Sequence, residues 1–327
     1  MESSRTDAPL RAYLLDGRGG AARVGWAEVS KWQAGDAPLW LHLDRRDPAS
    51  VDWLRRRSGL DSIVVEALLA EETRPRATAH GDGMLVILRG VNLNPGADPE
   101  DMISVRVWVE GARVISVRAR RLLAAEDVGD RLEAGSGATD AADLVVDLAT
   151  GLIDRMSPVL EHLDEAADEI EEKLVTGGGE RELRQSLVRL RRQAISLRRY
   201  LAPQREAMGR LQSGEFPLLT TIHRTRLREI NDRVVRFLED LDAMRERASV
   251  IQDELANRSA EQMNRTMYVL TLVAAIMLPL GFLTGLLGIN VGGIPGTDNP
   301  YSFAIVCALL FAIAAAEAWV FRRLKWI

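Results

Sequence analysis

The sequence predicts an α+β protein: a mixed α/β/α domain followed by a long helical stalk and a C-terminal hairpin of two transmembrane helices. Three observations lead to this fold class. Short apolar runs typical of strands are mixed with helical runs in residues 1–138. Residues 139–266 carry helical patterns, and two long apolar runs close the chain.

In the N-terminal domain, residues 1–138, five segments have the apolar alternation or the β-branched runs that favour strands. These predicted strands are Ala12–Leu15, Leu39–Leu43, Met84–Val91, Ser104–Val109 and Arg113–Val117. Two segments predict helices, Ala49–Ser58 and Ser62–Ala70, and Asp47 with Pro48 provides a start for the first. The segment Gly17–Gly20 lacks the flanking pattern of a phosphate-binding loop and is interpreted as a turn.

Residues 139–215 predict an antiparallel pair of helices. Apolar residues recur at helical spacing up to Gly177–Gly179, and a second helix is expected from about Glu180 to Gln212. The first helix carries the acids Glu161, Asp164, Glu165, Asp168, Glu169, Glu171 and Glu172. The second carries the arginines Arg181, Arg184, Arg189, Arg191, Arg192, Arg198 and Arg199. Antiparallel pairing would bring the two charged faces together, either as solvated faces with modest pairing or as a surface that attracts ions.

Residues 216–266 predict one stalk helix that begins after Pro217. Its apolar residues alternate in steps of four and three, as Ile230, Val234, Phe237, Leu241, Met244, Ala248, Ile251 and Leu255. This heptad spacing is typical of helices that supercoil around partners. Joined to the following span, the helix would have about 70 residues and a length on the order of 100 Å. Such a rod either transmits motion between its ends or serves as an oligomerisation stalk.

Two apolar runs predict membrane spans at 267–289 and 301–321, joined by a loop at 290–300. The first run contains no charged residue. At about 1.5 Å per residue it reaches roughly 34 Å, enough to cross the core of a bilayer. Basic residues flank the spans and are absent from the loop; they are Arg258, Arg265, Arg322, Arg323 and Lys325. The positive-inside rule predicts that the loop is external and that both termini, including the basic segment 322–327, are cytosolic.

Composition argues against several other classes of protein. The 327 residues include 42 Lys and Arg against 47 Asp and Glu, and the net charge of −5 gives no reason to expect a nucleic-acid partner. The histidines, His42, His80, His162 and His223, lack metal-ligand spacing and are interpreted as ordinary residues, and Cys307 is the single cysteine. No cofactor motif or nucleophile–base pattern points to an enzyme. No apolar signal segment opens the chain, so the domain before the spans is expected in the cytosol, beneath a plasma or inner membrane.

The clearest chemistry lies where the first span ends, at Gly288, Ile289 and Asn290. Two helices per chain cannot enclose a polar path, so a pore requires several chains around a symmetry axis. A ring of Asn290 carboxamide oxygens, with helix C-terminal carbonyls, would attract a cation and hold its water shell. Alternatively, Asn290 caps the helix and Gly288 permits a turn. The physics of these residues leaves both interpretations open.

The segment Gly288–Asn290 resembles the Gly-x-Asn tripeptide of the CorA superfamily of two-span metal transporters. It follows a span that contains Met277–Pro279, and it precedes one more span and a basic end at Lys325–Ile327. The continuation Gly292–Gly296 is similar to the ZntB zinc-transporter branch of that superfamily. Four segments of the soluble part are also ZntB-like: Leu14–Gly20, Trp40–Leu43, Thr73–Arg76 and Arg198–Arg205.

The resemblance implies a funnel-shaped homopentamer in which the long helix lines the pore. The matching face of this helix carries Gly285, Gly281, Leu278, Ala274, Leu270, Met267, Asn264 and Ala260. The side chains of Leu278, Leu270 and Met267 would form constrictions that close by dewetting. Asp253 matches a family acid that binds metal between subunits, and its alternative role is that of an exposed stalk acid.

Two further acids are associated with the spans. Asp298 is the only acid of the external loop, where it either attracts ions or forms a turn. Glu317 lies in the second span, and it is expected to extend to the membrane interface. The predicted metal-contacting residues are therefore Asn290, Gly288, Ile289, Asp253 and Asp298.

The implied function is zinc uptake, with proton coupling left open, by a lipid-embedded homopentamer that uses no cofactor. Co²⁺, Ni²⁺, Cd²⁺ and Mg²⁺ are further candidate ions. Zinc prefers nitrogen and sulfur ligands, and the predicted path offers only the thioether of Met267, so zinc is expected to pass largely hydrated. One alternative is a magnesium or cobalt channel of the CorA type, against which the Gly-Gly-Ile-Pro loop argues. Another is a tail-anchored coiled-coil scaffold or sensor without transport, which gives no reason for Asn290.

Overall fold

The computed structural model describes residues 11–177, 179–288, 296 and 299–323. The chain divides into two compact units, Met1–Gln252 and Asp253–Ile327. The first unit contains a mixed sheet and helices, and the second contains two apolar helices. The predicted α+β class, with a long helix and a C-terminal pair of apolar helices, is confirmed.

Seven strands form one sheet in the order β2-β1-β3-β7-β6-β5-β4. The strands are β1 (Arg11–Leu15), β2 (Ala21–Arg23), β3 (Leu39–Asp44), β4 (Arg76–His80), β5 (Gly83–Gly90), β6 (Ile103–Glu110) and β7 (Arg113–Arg118). β3 pairs with β7 in parallel, and all other neighbours in this sheet are antiparallel. The five predicted strands are present, whereas β2 and β4 were not expected.

Nine helices lie within the described residues. They are α1 (Trp26–Val29), α2 (Pro48–Arg56), α3 (Ser62–Leu69), α4 (Leu123–Glu133), α5 (Ala141–Asp154), α6 (Ser157–Thr176), α7 (Glu180–Gln212), α8 (Thr221–Leu287) and α9 (Ser302–Arg323). The predicted start of α2 is confirmed, because the Asp47 carboxylate accepts hydrogen bonds from the Ala49 and Ser50 amides. The short helix α1 and the helix α4 were not predicted.

The first helical segment after residue 139 is two helices rather than one. The chain leaves α5 at Arg155 and enters α6 at Ser157, with Pro158 in the first turn of α6. A proline at this position cannot continue α5, because it lacks an amide hydrogen and its ring would clash with the carbonyl of Asp154. The apolar spacing continues across the break, which is why the sequence pattern suggested a single helix.

Helices cover both faces of the sheet. On one face, Trp53 and Leu54 of α2 and Leu68 of α3 share a buried core with Leu41 and Ile115 of the sheet. On the opposite face, α5 packs on β5 and β6, and α7 packs on β4 and β5. The strands are therefore buried on both sides, as expected for a three-layer α/β/α domain.

The heptad seam of α8 is buried within its own chain. Ile230, Val234, Leu241, Met244 and Ala248 are all less than 5% exposed. Phe237 is only half-buried, and the neighbouring Leu238 takes the inward position instead. The interpretation of this seam as a surface for other chains is therefore wrong for this part of α8. Polar contacts place α6 and α7 of the same chain beside this part of α8.

The charged faces of α6 and α7 both pair with α8. Arg247 of α8 contacts the carboxylates of Asp164, Asp168 and Glu171 on α6. On α7, Arg198 pairs with Asp242 of α8 at 2.6 Å. The expected pairing of the acidic helix with the basic helix is thus replaced by pairing of each with a third helix. A third helix supplies oppositely charged partners for both faces, which a hairpin of two helices alone would not do.

Candidate ion pathway

Two helices of the second unit are long and apolar enough to cross a membrane. They are the last part of α8 and the whole of α9, and no residue in the most apolar stretch of either is fully buried by the rest of the chain. Exposed aliphatic and aromatic side chains of this density have no stable place in water. Lipid or further protein chains must therefore surround them.

Within the hairpin, α8 and α9 each have one half-buried face. On α8 it consists of Leu272, Ala275, Ile276, Pro279, Leu280 and Leu283. On α9 it consists of Ser302, Val306, Leu310, Ile313, Ala314, Glu317 and Phe321. The spacing of three and four residues places each set on one side of its helix. These are the sides expected where two antiparallel helices lie against each other.

The predicted pore face of α8 lies on the other side of the helix. Each of its described positions is exposed: Gly285, Gly281, Leu278, Ala274, Leu270, Met267, Asn264, Ala260 and Asp253. Leu278 is 72% exposed and Leu270 is 63% exposed. At 3.6 residues per turn, this set is turned away from the half-buried face that includes Leu280. One chain therefore leaves this face free to meet other copies.

Gly288, the first residue of the tripeptide, lies where the helix end leaves little space for a side chain. The Gly288 amide donates to the Thr284 carbonyl at 2.9 Å, and a Cβ on Gly288 would lie 3.1 Å from that oxygen. Pro279 cannot donate to the carbonyl four residues earlier, that of Ala275, so this carbonyl lacks its helical partner. The predicted metal contacts Ile289, Asn290 and Asp298 lie outside the described residues.

Glu317 is partly covered within the single chain. Its position belongs to the half-buried face of α9, and its Oε2 atom is buried without a hydrogen-bond partner among the described residues. The extension of this side chain to the membrane interface stays a prediction. Asp253, the other acid assigned to the path, is exposed as predicted for a stalk position.

Two of the sequence segments that carry the family resemblance meet at Arg89 of β5. Its guanidinium donates to the Thr73 carbonyl at 2.8 Å and stacks on the Tyr200 ring at 4.0 Å. Its backbone amide donates to the Gln204 side chain at 2.7 Å. These segments therefore fix the loop before β4 and the helix α7 against the sheet, which is an architectural role.

Sequence spacing also failed to reveal one group of metal-ligand side chains. Asp140, Asp143 and His223 place one potential ligand atom each within 4.8 Å of one another. They come from α5 and α8, which are far apart in the chain. By contrast, His42 is an ordinary core residue as predicted: it is buried beside Ser116, and this burial lowers the pKa of its imidazole to about 3.

Comparison with known proteins places this arrangement in a family. Residues 35–323 match the family described as CorA-like Mg²⁺ transporter protein. The divalent cation transporter CmaX of Pseudomonas aeruginosa is 42% identical over 328 residues, which cover 100% of this chain and 99% of that protein. The zinc transport protein ZntB of Pectobacterium carotovorum subsp. carotovorum is 39% identical over 320 residues, 97% of this chain and 96% of that protein. The structure of full-length CmaX superposes with a TM-score of 0.85 and covers 100% of both chains.

The sequence resemblance is thus confirmed at the level of the family. The two relatives have similar identities to this chain, and their names specify divalent cations in one case and zinc in the other. The shared cargo class is the divalent cation, and the family consists of ion transporters rather than enzymes. This chain belongs to the family of CorA-like Mg²⁺ transporter proteins and is a transporter of divalent cations.

Proposed function

We propose that this chain carries Zn²⁺ into the cytosol through a pore formed by five copies, each contributing the exposed face of α8. The observation that carries the proposal is the division of α8 into two faces. One face is half-buried, and the other, with Leu270 and Leu278, is left uncovered. A ring of chains would cover this second face and enclose a narrow path, which two helices alone cannot do.

The path residues supply weak ligands. Apart from the thioether of Met267, the exposed face between 260 and 285 offers aliphatic side chains, glycines and the amide of Asn264. Zinc binds tightly to imidazole and thiolate, neither of which occurs at these positions, so the ion would pass with most of its water shell. The carboxamide of Asn290, with the backbone at Gly288 and Ile289, would hold that shell at the outer mouth.

Acids at the two ends would concentrate the ion. Asp253 lies on the cytosolic side of the proposed path, and Asp298 lies in the loop between the spans. Basic residues at Arg258, Arg265, Arg322 and Arg323 flank the spans, so the positive-inside rule places both termini in the cytosol and the loop outside. In a bacterial cell this arrangement corresponds to the inner membrane.

We propose zinc rather than magnesium as the transported ion because of the loop sequence and the names of the relatives. The Gly-Gly-Ile-Pro run at 292–295 is similar to the zinc branch, and ZntB proteins are aligned over nearly the whole chain. The CmaX name is compatible with zinc and with other divalent ions. A magnesium or cobalt channel is therefore the second candidate, and it differs in the order of ion preference.

Ion flux into proteoliposomes tests the proposal. Vesicles containing the wild-type chain are expected to take up Zn²⁺ faster than Mg²⁺, and Asn290→Ala is expected to abolish most of the zinc uptake. Asn299→Ala is a matched control in the same loop, because the Asn299 side chain instead accepts a hydrogen bond from the Tyr301 amide at 2.9 Å, in the turn before α9. Faster Mg²⁺ uptake would support the magnesium channel, and no uptake of either ion by assembled wild-type protein would refute transport by this chain.

A further inference from the structure

We propose that Asp140, Asp143 and His223 form a binding site for a divalent transition-metal ion of the zinc class, separate from the transport path. The three residues lie where α5 and α8 both begin: Asp140 is the N-cap of α5, and His223 is in the first turn of α8. All three belong to the first compact unit. The proposal does not depend on which ion the pore carries.

The distances fit a small tetrahedral ion. His223 Nε2 lies 3.2 Å from Asp143 Oδ1 and 3.9 Å from Asp140 Oδ1. A tetrahedral zinc ion with bonds of about 2.0–2.2 Å separates neighbouring ligand atoms by roughly 3.3–3.6 Å. The third separation, between the two carboxylates, lies within 4.8 Å, so an adjustment of the aspartate side chains brings the three atoms to coordinating positions. One imidazole and two carboxylates are a ligand set that zinc accepts, and a water molecule would complete the tetrahedron.

The imidazole is held in place and has a partner for its other nitrogen. His223 is 5% exposed, and its Nδ1 lies 3.1 Å from the Thr220 hydroxyl. Nδ1 accepts a hydrogen bond from the Thr220 amide at 3.2 Å, so Nε2 carries the hydrogen and lies 3.2 Å from Asp143 Oδ1. With a metal on Nε2 the hydrogen moves to Nδ1, where the Thr220 hydroxyl can accept it. A ligand histidine commonly has such an outer hydrogen-bond acceptor.

The carboxylates are oriented by their second oxygens and by backbone groups. Asp143 Oδ2 accepts a hydrogen bond from the Thr139 hydroxyl at 2.7 Å, which leaves Oδ1 directed to His223. Asp140 Oδ1 accepts the Asp143 amide at 2.8 Å. The Asp140 side chain is 52% exposed, so the cluster is open to solvent on this side. An ion and its remaining water can enter there.

A neighbouring arginine competes with the ion. Arg226 of α8 contacts Asp143 Oδ1 at 3.0 Å and Asp147 at 2.6 Å, and Arg131 of α4 lies 3.7 Å from Asp147. The metal-free cluster thus contains three carboxylates and two guanidiniums, which leaves one negative charge when His223 is neutral. Arg226 can remain paired with Asp147 when a metal takes Asp143. The positive charge of Arg226 nevertheless weakens metal binding, so removal of this charge should strengthen metal binding.

Metal bound in this cluster would join α5 to the first turn of the helix that also forms the first apolar span. The site would therefore respond to the metal level around the first unit and act on the start of α8.

Zinc titration calorimetry of the full-length, metal-free chain in detergent tests the site. Asp140→Asn keeps the helix cap, because asparagine caps as well as aspartate, but it removes one charged ligand. This variant and His223→Gln are expected to weaken one zinc-binding event per chain by about tenfold or more. His162→Gln is the control, because His162 is an exposed histidine beside a single carboxylate, Glu165, on α6.

A variant that is expected to increase the zinc affinity distinguishes loss of a metal ligand from damage to the fold. Arg226→Gln is expected to tighten the same event, whereas a variant that merely disturbs the structure would weaken it. Zinc X-ray absorption of the wild-type chain with one equivalent of metal should show one imidazole among oxygen ligands. Identical isotherms for wild type, Asp140→Asn and His223→Gln would overturn the proposal. Zinc affinity that does not increase in Arg226→Gln would also overturn it.

Discussion

Arg247 of α8 donates from its Nε atom to the carboxylate of Glu171 on α6 at 2.7 Å. Two more carboxylates of α6, those of Asp164 and Asp168, contact the same guanidinium. This hydrogen bond lowers the pKa of Glu171, and the surrounding carboxylates raise the pKa of Arg247. The acidic face of α6 is therefore used inside the chain, to hold α8 to the sheet domain.

Arg247→Gln should destabilise the first unit. The variant leaves three neighbouring carboxylates without their shared cation, so they repel one another across the α6–α8 contact. Because these groups are partly exposed, the expected loss in unfolding free energy is about 1 kcal/mol. Thermal denaturation of the full-length chain measures it. Arg56→Gln removes a single exposed pair with Asp52 and should change the midpoint less.

The effect of Arg247 should also depend on pH. Since the folded-state pKa of Glu171 is lowered, the ion pair contributes fully above the ordinary glutamate pKa and is lost as pH falls through the lowered value. The difference in stability between wild type and Arg247→Gln is therefore expected to shrink in acid. A difference that stays constant down to acid unfolding would show that Arg247 acts through packing alone.

The intrachain heptad seam makes a second prediction. Leu241 is fully buried, so Leu241→Ala should lower the unfolding free energy of the first unit by about 2–5 kcal/mol. Val250 lies on the same helix and is 61% exposed, and Val250→Ala should change the stability by less than about 0.5 kcal/mol. Urea unfolding followed by tryptophan fluorescence measures both. Loss of oligomers with unchanged domain stability in Leu241→Ala would contradict an intrachain seam.

The seam also shows where sequence patterns stop being informative. The heptad spacing of α8 predicted a buried apolar seam correctly, but apolar spacing does not specify whether the covering helices belong to the same chain. The long strands were predictable because β-branched runs such as Ser104–Val109 are buried on both faces. The three residues of β2 are too few for a pattern, and its register is defined by pairing with Tyr13–Leu15. The edge strand β4 is largely polar, so its alternation is weak.

The two candidate sites also differed in how far the sequence could predict them. The pore face of α8 could be proposed from sequence because its residues lie on one helix with a regular period. The cluster of Asp143 and His223 could not, because it depends on how α5 and α8 meet in space. The burial of the Glu317 Oε2 atom was likewise not predictable, because it depends on which side of α9 is covered.

The buried His42 predicts a loss of stability in mild acid. Burial in the sheet lowers its folded-state pKa from 6.5 to about 3, so the folded protein keeps it neutral while the unfolded chain binds a proton. Stability should therefore fall as pH drops from 6.5 toward about 3. His42→Gln should make the thermal midpoint less dependent on pH across this range. An equally steep dependence in the variant would assign the acid sensitivity to other groups.

The central claim is that the exposed face of α8 lines the pore. Its most direct test is to measure zinc flux after a positive charge is attached at single positions of α8. Cys307 is the only cysteine, so Cys307→Ala provides a background for Ala274→Cys and Leu278→Cys on the proposed pore face, with the exposed Val273→Cys as control. Each thiol is converted either to a neutral methyl disulfide or to a trimethylammonium disulfide before zinc is added. The positive adduct should reduce zinc flux by about tenfold or more at 274 and 278, because in the proposed pore one cation from every subunit would face the path, and should have little effect at 273. Equal flux with both adducts at 274 and 278 would contradict a pore lined by this face of α8.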